Sequence, residues 1–216
     1  MPPKPKFTRN EVIEAALGIV SEGGLEALTA RELGERLGSS ARPIFTVFKN
    51  MDELVGEVKK AALEKYFSFV DKALHYTPLY KRYGMQMILF AKEEPNLFRI
   101  LFMKENSGVS SFGVIFEELS HTAENSIGII MRDYSLDERS ARIVFENTWI
   151  YTYGISVLCA TGMCDFSEEQ IVQMLGLDFL AILKRAKEGK LDVVTPNPMP
   201  KENAGDFNVK DYEKIL

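Results

Sequence analysis

The sequence contains few of the residues that usually build catalytic or metal sites. Only two cysteines and two histidines occur among its 216 residues. Cys159 and Cys164 are spaced neither as in a common zinc finger nor as in a C-x-x-C redox motif. No H-E-x-x-H, Walker-type or G-x-G-x-x-G pattern is present. We therefore predict a protein that is not an enzyme, with no catalytic residue, metal or cofactor. The two cysteines are expected to be free thiols, with a thiol switch as the alternative.

Long apolar runs and strand-like alternation are also missing. No apolar stretch reaches the length needed to cross a membrane, and the start, MPPKPKFTRN, lacks the apolar segment of a signal peptide. Apolar residues instead recur at helical spacing to about residue 189. The sequence predicts an all-α, cytoplasmic protein with no membrane partner. A proline-rich tail follows at 191–216, and the sequence does not decide its structure.

Capping signals give the order of the expected helices. Most are a Ser, Thr or Asn followed three residues later by Glu or Gln, a pattern that satisfies free N–H groups at a helix start. Proline at a first helical position gives two more, and the continuing helical pattern gives the helix from Ser111. The expected helices begin at Thr8, Thr29, Asn50, Thr77-Pro78, Pro95, Ser111, Ser135 and Ser167. The helix from Asn50 is expected to continue to His75, and a loop is expected over Asn106 to Ser111.

Two short helices joined by a glycine form the most distinctive motif of the chain. Gly38 follows the first of them, where a helix end tolerates a left-handed conformation. The second helix can begin at Ser39 or Ser40. Pro43 favours Ser40, because the proline is then the third helical residue and its missing N–H loses no hydrogen bond. This helix ends near Lys49, and the pair is a helix-turn-helix, a shape that places one helix in the major groove of DNA.

The second helix of the motif has an apolar side and a polar side. On a wheel of about 100° per residue, Ile44, Val47 and Phe48 fall together and predict the buried side. A solvated face of an ordinary helical domain is the alternative to a DNA-reading face on the other side. The residues predicted to contact DNA from this helix are Arg42, Thr46 and Lys49, flanked by Ser40, Ala41, Pro43 and Phe45.

The stretch from about Phe7 to Ala62 resembles the DNA-binding domain of tetracycline-repressor-type (TetR family) transcriptional regulators. The family pattern is close to L-T-x-R-x-L-A-x-x-L-G-V-S-x-x-x-L-Y-x-H-F-x-x-K-x-x-L. This chain supplies, in register, Leu28, Thr29, Arg31, Leu33, Leu37, Gly38, Ser40, Ile44, Phe45, Phe48 and Leu54. The family tyrosine, histidine and lysine are replaced by Phe45, Val47 and Met51. Polar groups that often touch phosphates in relatives are therefore missing here.

The resemblance implies a role for residues at the start of the first motif helix. Arg31 matches a family arginine that can reach DNA, and a surface ion pair with a nearby glutamate is the alternative. Thr29 is chiefly a helix cap, and the free amides and positive dipole that follow it are suited to a phosphate. The resemblance also implies a DNA-binding domain at 1–50 and a helical ligand-binding and dimerisation domain at 51–190.

The distribution of charge has the direction that DNA binding needs. Up to Lys60 the chain has nine basic and nine acidic residues, so the net charge of −5 belongs to the remainder. Lys4, Lys6 and Arg9 precede every acidic residue. This basic start is either an arm that lies along DNA or in its minor groove, or a solvated tail.

The last two long helices predict a homodimer. The helix from Ser167 is apolar nearly all round and needs cover on more than one side, which packing inside one subunit would also provide. The resemblance implies a two-fold dimer built from these two helices. Such a dimer would set two recognition helices roughly 34–36 Å apart, as a palindromic double-stranded DNA operator requires.

A small-molecule effector is implied for the larger domain. Few charges fall in its segments, so we expect an apolar or amphipathic ligand. The predicted ligand-binding residues are Phe98, Phe102, Trp149 and Tyr153. The function predicted is a ligand-responsive transcriptional regulator, a repressor by family precedent. The alternative is a small-molecule binding or protein-interaction module that no longer reads DNA.

Overall fold

The computed structural model describes residues 6–69, 71–78, 81–103 and 120–191, with the side chains of 120–122 excluded. Within these ranges the chain is all-α and has no strand. The helices are α1 (Arg9–Gly23), α2 (Ala30–Arg36), α3 (Met51–Ser68), α4 (Lys81–Glu93), α5 (Pro95–Phe102), α6 (Ser120–Tyr134), α7 (Glu138–Ala160) and α8 (Glu168–Lys187). Short 3₁₀ turns cover Leu25–Ala27, Arg42–Thr46 and Asp71–Ala73.

Some expectations concern residues outside the described ranges. These are the loop from Asn106, the helix start at Ser111, the basic residue Lys4 and the tail from residue 192 onward. None of the described helices is both long enough and apolar enough to span a membrane.

Side-chain caps start several helices where the sequence predicts them. Thr8 and Ser167 form complete capping boxes at the starts of α1 and α8. Thr29 and Asn50 each accept a hydrogen bond from the backbone N–H three residues later. Each of these bonds satisfies an N–H group that has no partner inside the helix. Local sequence is therefore sufficient to position the starts of α1, α2, α3 and α8.

The predicted cap of α7 is wrong. Ser135 has a φ of 57°, a left-handed conformation that does not lead into a helix. Asp137 is the cap instead, and its carboxylate accepts a hydrogen bond from the N–H of Ser140 at 3.0 Å. The helix consequently begins at Glu138, two residues later than a cap at Ser135 would start it.

The predicted limits of α3 and α4 are also wrong. α3 ends at Ser68 rather than near His75, and α4 begins at Lys81 rather than at Pro78. The turn between them buries Ala73 and Tyr76 in a cluster with side chains of α4, α7 and α8. Tertiary packing of these two residues therefore replaces the last turns of the expected helix.

The helix-turn-helix and the larger helical domain share one hydrophobic core. Leu33, Ile44 and Leu54 from the first part are fully buried, and they belong to the same cluster as Phe90 and Phe98. α1 packs against both α3 and α5, and its buried face includes residues at positions 12 and 19. The small N-terminal domain thus gains cover that three short helices lack by themselves.

Candidate nucleic-acid interface and ligand cavity

The turn of the helix-turn-helix is tightly held. Gly38 has a φ of 61°, in the left-handed region that favours glycine at a helix end. The N–H of Ser39 donates to the carbonyl of Gly34 at 2.8 Å. A Cβ on Gly34 would lie 2.9 Å from the backbone nitrogen of Ala41, closer than real Cβ atoms approach. The turn therefore packs directly on the backbone of α2 and fixes the direction of the next segment.

The second helix of the motif is shorter than predicted. It is a 3₁₀ turn over Arg42–Thr46, and Ser40 does not cap it. Pro43 has no N–H to donate, and the N–H of Ile44 bonds to the carbonyl of Ala41, three residues before it, at 3.1 Å. The turn therefore begins at Arg42 without a side-chain cap.

Burial in this segment follows the predicted wheel. Ile44 and Phe48 are in the core, with 0% and 2% of their surface exposed, and Val47 is half-buried. Arg42 and Phe45 are exposed, Phe45 to 45%. The remaining predicted contacts are exposed at Ser40, Thr46 and Lys49 and half-buried at Ala41 and Pro43. The segment is therefore anchored on one side and open to solvent on the other.

The cations of this surface differ in how they are already paired. Among the described residues, the Arg42 guanidinium makes no hydrogen bond or ion pair, and the Lys49 ammonium makes no ion pair. Arg31 pairs with Glu35 at 2.9 Å, the alternative considered for it, but both side chains are mostly exposed. Such an exposed pair contributes little to stability, so a phosphate can compete for Arg31.

The Arg9 side chain is held against the end of the 3₁₀ turn rather than in a free N-terminal segment. Its guanidinium lies 4.2 Å from the centre of the Phe48 ring, donates to the carbonyl of Val47 at 2.7 Å and pairs with Glu53 at 2.9 Å. Lys6, the next basic residue toward the N-terminus, donates to the Ser39 hydroxyl at 3.0 Å. Arg9 therefore ties α1 to the end of the 3₁₀ turn and to the start of α3.

Glu53 makes this junction sensitive to acid. The backbone N–H of Lys49 at 2.7 Å and the Arg9 side chain hold the pKa of Glu53 below its usual range. A lowered pKa in the folded state gives stability that is present above the unfolded-state pKa and lost as pH falls through the folded-state value. We expect Glu53→Gln to reduce the acid-induced loss of unfolding free energy, measured by urea unfolding across pH. Glu14→Gln on exposed α1 is the control, and an equal change there would contradict this role.

A second candidate site is a cavity between α3, α4, α6, α7 and α8. It encloses about 60 Å³, room for a few water molecules. Drug-sized ligands occupy pockets of roughly 300–1,000 Å³, so a bound ligand would have to widen this cavity. Its apolar lining comes from Met87, Ala123, Ile130, Phe145, Trp149 and Leu175, and its polar lining includes Tyr66, Lys81, Tyr83, Thr148 and Thr152.

One of the four predicted ligand-binding residues lines this cavity. Trp149 does so, and it stacks on Tyr153 with ring centres 5.2 Å apart and planes at 9°. Phe98, Phe102 and Tyr153 lie instead in the core between α5 and α7. The Tyr153 hydroxyl donates to the carbonyl of Phe102 at 2.9 Å, and Phe98 is fully buried. These side chains therefore pack against or bond to other parts of the protein and do not line the cavity.

Sequence patterns did not indicate most of the cavity lining, because it comes from helices far apart in the chain. One signal was available on α7. Thr148, Thr152 and Ser156 follow one another at four-residue intervals, and each hydroxyl donates to the carbonyl four residues before it, at 2.8, 2.8 and 2.9 Å. These small hydroxyl residues lie close to Trp149, and two of them, Thr148 and Thr152, line the cavity on α7.

Hydrogen bonds connect α1 to the corner between α4 and α5. The Glu94 carboxylate accepts from the Ser21 hydroxyl at 2.5 Å, and the Asn96 amide donates to the Ser21 carbonyl at 2.9 Å. Arg99 donates to the Asn96 side chain at 3.0 Å and to the carbonyl of Ala160 at 2.7 Å. The end of α7 is therefore linked through α5 to the helix that supports the turn.

Comparison with known proteins agrees with this arrangement. Residues 12–58 match the family model of bacterial regulatory proteins, tetR family. No curated protein matches the sequence of the chain. The fold is similar to that of a TetR variant from Acinetobacter baumannii AYE in complex with minocycline, with a TM-score of 0.50 and 16% sequence identity. The likeness covers 87% of this chain and 100% of that one, and shows a shared fold. The predicted resemblance to this family is confirmed for residues 12–58, and the predicted all-α fold class is confirmed.

Proposed function

We propose that this protein is a dimeric transcriptional regulator that binds a palindromic DNA operator and releases it when a small effector binds. The observation that carries the proposal is the Arg42 guanidinium, exposed and unpaired among the described residues, on a segment whose other side is buried. Arginine bonded twice to guanine is the commonest specific contact in the major groove. A rigid support beneath such a side chain gives it the fixed direction that base reading needs.

The neighbouring residues suggest a division of roles. Phe45 and the half-buried Ala41 and Pro43 supply apolar surface that suits the methyl group of thymine. Lys49 supplies a phosphate contact, which adds affinity without sequence preference. The Thr46 hydroxyl already donates to the Pro43 carbonyl at 2.6 Å, so it has only acceptor capacity left for DNA. The proposed interface also includes Thr29, Arg31 and Ser40.

The proposed dimer uses α7 and α8. Leu177 and Leu180 are 72% and 63% exposed, and their spacing places them on one side of α8. Ile150 on the neighbouring α7 is 47% exposed. A two-fold contact through this apolar surface would bury each residue twice, once in each subunit. It would also give the two recognition segments the fixed separation that a palindrome demands.

The proposed effector acts by widening the cavity. α4 lines the cavity through Gly84 and Met87, and the corner that follows α4 holds the end of α1 through Glu94 and Asn96. A ligand that separates α4 from α7 would therefore move the support of the recognition segment. The effector shifts the protein away from DNA only if it binds that wider conformation more tightly. Ligand binding by the structural relative is consistent with this use of the fold.

Selection of bound sequences from a random duplex pool tests the DNA-binding part of the proposal. We expect a palindrome whose half-sites are separated by one helical turn, about 10–10.5 base pairs between centres, or by a multiple of it. Weak and equal retention of every sequence would contradict the proposal that the protein is a DNA-binding regulator. That result would favour an interaction or ligand-binding module. The replacement of polar family residues by Phe45, Val47 and Met51 also supports this alternative.

A further inference from the structure

The cavity has polar and apolar sides that face different helices. Side chains with hydrogen-bond donors line it from the end of α3 and the start of α4, at Tyr66, Lys81 and Tyr83, and Ser126 adds a hydroxyl from α6. The hydroxyls of Thr148 and Thr152 on α7 already donate to carbonyls of their own helix. The remaining lining from α6, α7 and α8 is mainly apolar. A ligand that fits this arrangement has an acceptor group at one end and an apolar body.

Lys81 gives the polar side a positive charge. No aspartate or glutamate is among the described residues that line the cavity, and none in the described ranges forms an ion pair with Lys81. Its Nζ lies 4.0 Å from the position that a Cβ on Gly176 would occupy. The ammonium therefore lies against α8, one residue beyond Leu175 of the lining, while its backbone is the first residue of α4.

Other groups on this side add to the preference for an anion. The start of α4 carries the positive end of the helix dipole, which favours negative charge nearby. Burial raises the pKa of Tyr66, and the nearby Tyr83 raises it further. The Tyr66 phenol therefore stays neutral and remains a donor at physiological pH. Among the described residues of the lining, a cationic ligand would meet no compensating carboxylate.

We propose that the effector is an amphipathic anion, with a carboxylate bound by Lys81 and an apolar body held against Trp149, Ile130 and Leu175. This inference rests on the proposed role of the cavity as the effector site. The carboxylate accepts charge-assisted hydrogen bonds from Lys81, and the apolar body occupies the space created when α4 and α7 separate. Lys81 thereby selects among ligands that fill the apolar part equally well.

Trp149 allows the proposal to be tested at the site itself. It is the single tryptophan of the sequence and lines the cavity, so its fluorescence reports binding there. The full-length protein is titrated with decanoate, decanol and decyltrimethylammonium, which share one apolar chain and differ in headgroup charge. We expect decanoate to bind about tenfold or more tightly than decanol, as a hydrogen bond to a charged group provides. The cationic probe is expected to bind most weakly.

Substitution at Lys81 identifies the group responsible. Lys81→Met keeps the length of the side chain and removes its charge, and we expect it to abolish the preference for decanoate while leaving decanol affinity within about twofold. Lys184→Met, on the last turn of α8 and outside the cavity, is the control and should retain the preference. A preference that survives Lys81→Met, or that Lys184→Met also removes, overturns the assignment to Lys81.

The remaining outcomes separate this inference from the proposed function. Equal binding of decanoate and decanol by the wild-type protein overturns anion selection but leaves the cavity as an effector site. If none of the three amphiphiles changes Trp149 fluorescence, both the inference and the proposed effector site fail. The random-duplex selection described above is independent of these titrations, so DNA binding would still stand or fall on its own result.

Discussion

A protein carrying Leu180→Asp is expected to be a monomer in solution. Leu180 is 63% exposed in the single chain and lies one turn from Leu177, which is 72% exposed. In the proposed dimer both leucines are covered, and each buried leucine contributes about 1.5–3 kcal/mol. Aspartate removes that contribution and adds an unpaired charge, once in each subunit. We therefore expect the dimer dissociation constant to rise about 1,000-fold or more, measured by sedimentation equilibrium.

Met163 provides a matched control for Leu180. It is 74% exposed, but it lies in the turn between α7 and α8 rather than on the apolar side of α8. Met163→Asp should leave the protein dimeric. A protein that remains dimeric with Leu180→Asp would contradict the proposed interface. Loss of the dimer in both variants would show instead that the added charge acts nonspecifically.

Loss of the dimer should weaken operator binding far more than loss of one DNA contact. A dimer engages both half-sites at a fixed separation, whereas a monomer must bind each half-site independently. We expect the Leu180→Asp monomer to bind a single half-site and the full palindrome with nearly equal affinity per site. Anisotropy titrations of labelled duplexes measure this, with the Met163→Asp dimer as reference.

Arg42→Ala is expected to lower operator affinity by about 1–3 kcal/mol per half-site and to relax sequence choice there. The reason is that the Arg42 guanidinium is exposed and has no partner among the described residues, on the segment proposed to read DNA. Lys49→Ala should instead weaken all sequences alike and reduce the salt dependence of binding by about one phosphate contact per subunit. Titrations of the selected operator and its single-base variants, at several salt concentrations, distinguish the two effects.

A control for these variants lies far from the recognition segment. Arg139→Ala, at an exposed position on α7, removes the same type of charge and should leave operator affinity unchanged. If Arg42→Ala and Lys49→Ala weakened every sequence equally, the proposed base contact of Arg42 would be wrong. Sequence choice would then have to come from Phe45 or from the shape of the DNA.

Features determined by neighbouring residues could be predicted from the sequence. The capping boxes at Thr8 and Ser167 and the left-handed Gly38 depend on side chains and backbone within a few positions. Where two neighbouring residues could both cap a helix, the sequence pattern did not identify the true cap. Ser135 and Asp137 are both good caps, and the backbone conformation at Ser135 decided between them.

Features that depend on distant parts of the chain could not be predicted in this way. Arg9 follows two lysines and therefore suggested a basic arm, but its partners Val47 and Glu53 are far along the sequence. The cavity likewise combines residues from Tyr66 to Leu175. A wheel identifies which side of a helix is apolar, but not which apolar side chains leave a gap.

The bonds of Ser21 to Glu94 and Asn96 bear on how proteins of this fold can be recombined. A chimera that exchanges only the first fifty residues for those of another protein would separate Ser21 from both partners, which lie at 2.5 and 2.9 Å. The new α1 would then pack against the α4–α5 corner of this protein without side chains that match it. An interchangeable unit would have to include α1 together with the corner from Glu94 to Asn96, although more than seventy residues separate them in the chain.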